Sequence, residues 1–196
     1  MSELTPEAIA DILSRRLSAH RWQHSLNVAA TARQLALGHG QDPELAERAG
    51  LLHDYAKGMP DAELLSIARA QGLLTDPVEE ALPDLLHAPV GAHLLATELG
   101  VTDARLLSAV RHHTMGSPDM SPLDQIIFLA DMIEPGRHYP QQQLLIRAAH
   151  ENLERAMLAA LDSTIEYCLR RGRLLHPRTV HVRNCYLTRL GSGGRE

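Results

Sequence analysis

Leu51-Leu52-His53-Asp54-Tyr55-Ala56-Lys57 places an apolar run directly before a histidine and an aspartate, with a lysine three residues beyond. The run reads as the end of a buried helix. A neutral imidazole beside a hard carboxylate is a compact metal-ligand unit, and the two carboxylate oxygens can bridge two ions. The dipeptide alone is common and says little. Its meaning depends on whether other histidines and aspartates fall where a helical fold can bring them to it. Lys57 stands out for another reason: it is the only lysine among 19 Lys+Arg.

Composition sets the frame. The 196 residues suit one domain, or one domain with a helical appendage. At 44% hydrophobic and 22% charged, the chain can bury a full core and is not a disordered composition. Aromatics are only 3%, Ala and Leu are abundant and β-branched runs are few, which favours an all-α fold. Net charge is −5 and the pI about 6.2, so bulk electrostatics gives no reason to expect nucleic acid as a partner. No apolar stretch approaches the ~20 residues that span a bilayer, so no membrane partner is expected. Cys168 and Cys185 form no zinc-type spacing, and with no secretory leader a reduced cytoplasmic setting is the simplest expectation. Twelve histidines is a high count, and histidine is the commonest metal ligand.

Working outward from residue 53, caps and apolar periodicity predict about eight or nine helices and essentially no sheet. Thr5-Pro6 opens a helix to about Ser18, and a second runs from about Arg21 to Leu37. Asp42-Pro43-Glu44 opens a third that reaches Tyr55 and carries His53 and Asp54 at its end. Pro60-Asp61 opens a fourth that ends near Gly72. Residues 72 to 88, with Pro77 and Pro83, read as a variable loop or lid ending at His87. Further helices follow from Pro89 to Leu99, after Asp103, and from the capping-box-like Ser121-Pro122-Leu123-Asp124. Gln141 to about Arg171 reads as one long amphipathic helix, and His176-Pro177 starts a last one through Leu190. A single domain over 1–190, with N- and C-terminal helical extensions and a flexible tail over 191–196, is the expected organisation.

Several histidines and aspartates fall at helix ends or on otherwise apolar helices. They are His24, the His53-Asp54 pair, His87, the His112-His113 pair and Asp131. Asp131 interrupts Ile126-Ile127-Phe128-Leu129-Ala130, where an aspartate is costly without a metal or a cation to pair with. His24 sits between Trp22 and Leu26. Facing helices of a bundle are a usual source of inward-pointing metal ligands.

The order His … His-Asp … His … His … Asp resembles the HD-domain superfamily of metal-dependent phosphohydrolases, whose fold is a helical bundle. Five blocks resemble its YqeK-type subfamily, which contains bacterial symmetrical diadenosine tetraphosphate hydrolases. They are Arg21-Trp-Gln-His24-Ser-Leu-Asn-Val, Gly50-Leu-Leu-His53-Asp54-Tyr-Ala-Lys57, His87-Ala-Pro-Val-Gly-Ala, Ala109-Val-Arg-His-His113-Thr114 and Ala130-Asp131-Met-Ile-Glu134-Pro-Gly-Arg137. The likeness spans roughly residues 20 to 190. The last block discriminates most, because the His-Asp pair is shared by every branch of the superfamily. One departure is His87-Ala88, where the subfamily usually has His-Gly.

The resemblance implies two divalent metal ions. One would be held by His24, His53, Asp54 and Asp131, and the other by His87 and His113, with Asp54 bridging. The family prefers iron, although His/carboxylate sites also suit Mn, Co, Ni or Zn. A metal-bound hydroxide would attack phosphorus in line and release two ADP from a small-molecule dinucleoside polyphosphate. Asp54 and Lys57 are the candidate catalytic residues. Arg21, Lys57, Arg111, Thr114 and Arg137 are candidates for substrate binding, because each lies within or beside a ligand motif. A homodimer is also expected, from fold precedent and the long helix at 141 to 171.

Each of these residues has an ordinary reading too. His20, His39, His93, His138, His150, His176 and His181 suit surface or structural roles. Lys57 could simply complement the C-terminal end of its helix. Glu134 could support a ligand or pair with Arg137. Three other functions share the motif: phosphohydrolysis of nucleoside monophosphates, phosphohydrolysis of guanosine polyphosphate alarmones, and metal-dependent nucleotide binding without catalysis.

Overall fold

The computed structural model describes residues 6–192. Among the described residues there are eleven α-helices, one 3₁₀ turn and no strand. The chain is all-α, as its composition predicts. No helix among the described residues is long and apolar enough to cross a membrane.

The helices begin where side chains can satisfy their first free N–H groups. α1 (Pro6–Arg16) is followed by α2 (Ala19–Gly38), and Ser18 caps α2 by accepting from the Arg21 N–H. The proposed Thr5 cap of α1 lies outside the described residues. Asp42 caps α3 (Pro43–Leu52), and α4 spans Asp61–Ala70. Residues 72 to 88 contain more structure than the loop expected there. The short α5 (Val78–Ala81) and a 3₁₀ turn at Pro83–Leu86 lead straight into α6 (His87–Glu98), so His87 opens a helix. Asp103 caps α7 (Ala104–His112), and Ser121 and Asp124 form a reciprocal capping box on α8 (Pro122–Ile133).

The long helix expected over 141 to 171 is two helices, α9 (Gln142–Glu151) and α10 (Leu153–Arg170). Asn152 separates them. Its backbone is extended, and its side chain accepts from the Arg155 N–H, so it caps α10. Apolar periodicity continues across the break and hides it. The homodimer expectation therefore loses one of its two supports. α11 runs Pro177–Ser192, two residues past the predicted end.

α8 forms the centre of the molecule. Nine of its twelve residues are buried, and α2, α3, α7, α9 and α10 pack against it. α2 and α3 make the closest pair, and Gly50 allows it. A Cβ on Gly50 would sit 2.7 Å from the Ala29 Cα, a backbone contact that cannot give way. α6 packs on α7, and α11 on α10.

Candidate metal centre

α3 ends at Leu52, three residues earlier than the periodicity suggests. His53 is its C-cap, and the chain tightens into i→i+3 turns, Tyr55 N–H to Leu52 C=O and Lys57 N–H to Asp54 C=O. Gly58, at φ +89°, then redirects the backbone. The tightened segment buries both members of the pair, His53 at 0% and Asp54 at 2% exposure.

Around that pair the fold assembles His24 from the first turns of α2, His87 from the start of α6, His113 from the end of α7 and Asp131 from the last turn of α8. Ring centroids of His24 and His53 are 5.2 Å apart, those of His53 and His113 4.9 Å, and those of His87 and His113 5.0 Å. Asp54 lies between them. Its Oδ2 is 3.6 Å from His53 Nε2 and 3.9 Å from His24 Nε2. Its Oδ1 is 3.3 Å from His87 Nε2 and 3.8 Å from His113 Nε2. Asp131 Oδ1 is 3.0 Å from His24 Nε2.

The outer nitrogen of every ring is already committed. His53 Nδ1 is 2.7 Å from the Gly50 carbonyl and His113 Nδ1 2.7 Å from the Val110 carbonyl. His87 Nδ1 contacts the Asp84 carbonyl. His24 Nδ1 is 3.1 Å from Glu134 Oε1. A carbonyl or carboxylate can only accept, so each Nδ1 carries a proton, and each ring in its neutral form turns an Nε2 lone pair inward. His24 Nε2 and His53 Nε2 are buried and lack a hydrogen-bond partner. His87 Nε2 and His113 Nε2 lie 3.0 Å apart as two facing acceptors, which repel unless a cation draws both. Four inward lone pairs and two carboxylates therefore fit divalent metal. Two overlapping triplets, His24/His53/Asp131 and His53/Asp54/His113, each have donor atoms within 4.8 Å of one another.

The electrostatics agrees with this fit. Burial pushes the His113 imidazole down to about 3 and also lowers His87, with Lys57 adding to the effect on His87. Burial opposes the charge on Asp54, but the imidazoles of His53, His87 and His113 outweigh it and hold the carboxyl far below its ordinary range. Asp131 is likewise lowered, with burial opposed by His24, His53 and Arg137. Burial also works against a charged His24, yet Asp131 and Glu134 raise its pKa. The carboxylate side of the cluster draws positive charge.

The cations named from sequence fall into three groups. Arg21 and Arg137 hold the two candidate ligand carboxylates, with Arg21 Nη1 donating to Asp54 Oδ2 at 3.1 Å and Arg137 Nη2 to Asp131 Oδ1. Lys57 Nζ donates to Asp84 Oδ2 at 2.6 Å and lies 3.4 Å from His87 Nδ1. Arg111 is exposed and lines a different cleft. Thr114 Oγ1 is 3.2 Å from His87 Nε2. His112 turns away from the cluster, 3.3 Å from Ser108 Oγ and 3.9 Å from Asp124. Ala88 is fully buried in α6, and its methyl group leaves His87 in the cluster. An open cleft of about 260 Å³ adjoins Asp131, lined by His113, Thr114, Arg137, Tyr139 and Thr164 among others.

Sequence reasoning left Glu134 ambiguous. Its Oε2 accepts from Asn27 Nδ2 at 2.8 Å and from the Gly136 N–H at 2.6 Å, while Oε1 faces His24. Asn27 stands in the block around His24 that carries the resemblance but has no role assigned there, although it lies a single turn after His24 on α2.

Residues 21–136 match the HD domain family. The symmetrical bis(5'-nucleosyl)-tetraphosphatase of Halalkalibacterium halodurans is 37% identical over 173 residues, covering 88% of this chain and 92% of that protein. The Bacillus subtilis protein of the same name is 35% identical, covering 91% and 95%. A crystal structure of an HD superfamily hydrolase from Clostridium acetobutylicum, described as involved in NAD metabolism, superposes with a TM-score of 0.91 at 36% identity, covering 96% of this chain and 100% of that one. The chain belongs to the HD domain family, and within it to the branch of the symmetrical bis(5'-nucleosyl)-tetraphosphatases.

Proposed function

We propose that the chain hydrolyses diadenosine tetraphosphate symmetrically to two ADP at a divalent-metal centre. The observation that carries this reading is the convergence of four inward Nε2 atoms on Asp54 and Asp131, in a chain whose relatives bear that enzyme's name. His24, His53, Asp54 and Asp131 would hold one ion. His87 and His113 would hold a second, with Asp54 shared. The two Asp54 oxygens support the sharing, since Oδ2 faces His24 and His53 while Oδ1 faces His87 and His113. Iron is the first candidate on family grounds, and the donor set also suits Mn, Co, Ni or Zn. Bound there, divalent ions would lower the pKa of water toward neutrality and offset charge on phosphoryl oxygens.

The protein's own groups have distinct tasks in this reading. The Nδ1 anchors fix each ring so that no reorganisation is needed as charge develops. Arg21 and Arg137 orient Asp54 and Asp131, and Arg137 helps to keep Asp131 ionised. Lys57 and Thr114, beside His87, are placed to meet a phosphoryl oxygen, with Arg137 doing so from the Asp131 side. The setting we propose is the cytoplasm, in keeping with two free cysteines, Cys168 and Cys185.

Product analysis by anion-exchange chromatography tests the reading. With metal-loaded protein and diadenosine tetraphosphate, ADP should be the only nucleotide released. AMP with ATP in equal amounts would overturn symmetrical cleavage, and intact substrate would overturn the activity.

A further inference from the structure

The segment that carries His113 and Thr114 into the cleft beside the cluster carries Arg111, Ser117 and Pro118 into a second cleft. This one measures about 370 Å³ and includes Arg178 at the start of α11. Neither arginine has an ion-pair partner among the described residues, whereas Arg21 and Arg137 are both paired to carboxylates. Arg178 is nonetheless fixed. Its Nη2 donates to Thr75 Oγ1 at 2.8 Å, and Thr75 Oγ1 donates to Glu79 Oε1 at 2.7 Å.

Among the described residues Glu79 is the only carboxylate lining the cleft, and it does not oppose an anion. It is 1% exposed. Its Oε2 accepts from the Thr75 and Asp76 N–H groups at 2.6 and 3.2 Å, and His176 Nε2 lies 3.3 Å from its Oε1. Its charge is absorbed by the loop it organises, and the same chain of bonds aims a guanidinium at the cleft. Leu73, Pro89 and Pro118 supply apolar wall. Two unpaired guanidiniums, hydroxyls and an apolar wall are what a nucleoside diphosphate needs: anion contacts at one end and a surface for the base at the other.

We infer that this second cleft binds one ADP half of the dinucleotide, with Arg111 and Arg178 on its phosphates. The inference rests on the function proposed above. A symmetrical substrate presents two identical nucleotides, and the cleft beside Asp131 and Arg137 is placed for one of them. The other needs a site of its own, and the His113-bearing segment borders both clefts.

Equilibrium dialysis of metal-loaded protein against ADP gives a readout separate from turnover. The wild type should bind two ADP per chain and the Arg111→Met/Arg178→Met double variant one. The KM for diadenosine tetraphosphate should rise roughly tenfold or more, the effect of losing a charge-assisted contact. Arg111→Met alone breaks no hydrogen bond or ion pair among the described residues and should show part of the rise, while Arg178→Lys should restore part of the double variant's loss. Wild-type binding of a single ADP would overturn the inference, as would a double variant that keeps two ADP and the wild-type KM. Failure of the wild type to release ADP from the dinucleotide would instead strike the proposed function, and dialysis would still report on the cleft.

Discussion

Three histidines of the cluster and the fourth are held in different ways. His53, His87 and His113 each anchor Nδ1 on the carbonyl of the residue three positions earlier, at Gly50, Asp84 and Val110. His24 lies in the body of α2, where the carbonyls are spent on the helix, and anchors on Glu134, 110 residues away. A carbonyl anchor comes with the local fold. A carboxylate anchor must be imported, buried and itself satisfied, here by Asn27 and the Gly136 N–H. In return it makes the imidazole a more basic ligand. The cluster thus has a locally built half around His87 and His113 and a half around His24 that depends on long-range contacts, with His53 and Asp54 between them.

Removing the shared element should collapse the distinction. Asp54→Asn keeps the shape but removes the carboxylate that faces both halves. Loss of one partner from a buried charged cluster costs roughly 3–5 kcal/mol, on the order of 10²–10⁴ in rate when it falls on the transition state. Turnover should drop by that much and metal content per chain should fall, while far-ultraviolet circular dichroism stays helical. Retention of full metal content and activity would show that Asp54 does not join the two halves.

Glu134→Gln tests the asymmetry itself. The amide must present either oxygen or NH₂ to His24 Nδ1, and Asn27 and Gly136 still need an acceptor. The His24 anchor therefore weakens while the three carbonyl anchors are untouched. Losing the partner that orients a metal-binding ring costs roughly 10- to 100-fold in metal affinity. Chelator competition should show one weakened ion and one of unchanged affinity. Equal weakening of both would mean that the halves do not differ as their anchors suggest.

The same asymmetry governs what the sequence revealed. His24, His53, Asp54 and Asp131 stand out as polar residues within apolar helices or at their ends, a local signal that needs no knowledge of packing, whereas His87 closes an expected loop and only the family resemblance separates His113 from His112. The carbonyl anchors emerge only from the structure, where His53, His87 and His113 each sit three residues after the carbonyl that holds them. Glu134 with Asn27 was not legible, because nothing near residue 134 points to residue 24. Arg21 and Arg137 were noticed as cations, but their pairing with Asp54 and Asp131 depends on how α2, α3 and α8 meet. The break at Asn152 was concealed by apolar periodicity on both sides of it, and only the capping geometry exposes it. His176 suits either a surface or a structural role by sequence, and its burial against Glu79 settles on the structural one, because the start of α11 returns to the 72–82 segment.

The smallest expected effect separates a backbone anchor from the side chain of the same residue. Asp84 supplies both: its carbonyl holds His87 Nδ1 and its carboxylate holds Lys57 Nζ. Asp84→Asn removes only the second. Because the Asp84 side chain is 69% exposed, the ion pair is worth about 0.2–1 kcal/mol at most. His87 should keep its ring orientation, and metal content should match the wild type. Lys57, released from its partner, becomes freer to meet a phosphoryl oxygen, so the KM for the dinucleotide should fall by up to about fivefold. A loss of metal would show that the carboxylate, not the carbonyl, holds His87, and would erase the difference between the two kinds of anchor. An unchanged metal content with a raised KM would mean that the Asp84 pair holds Lys57 in its working position instead of restraining it.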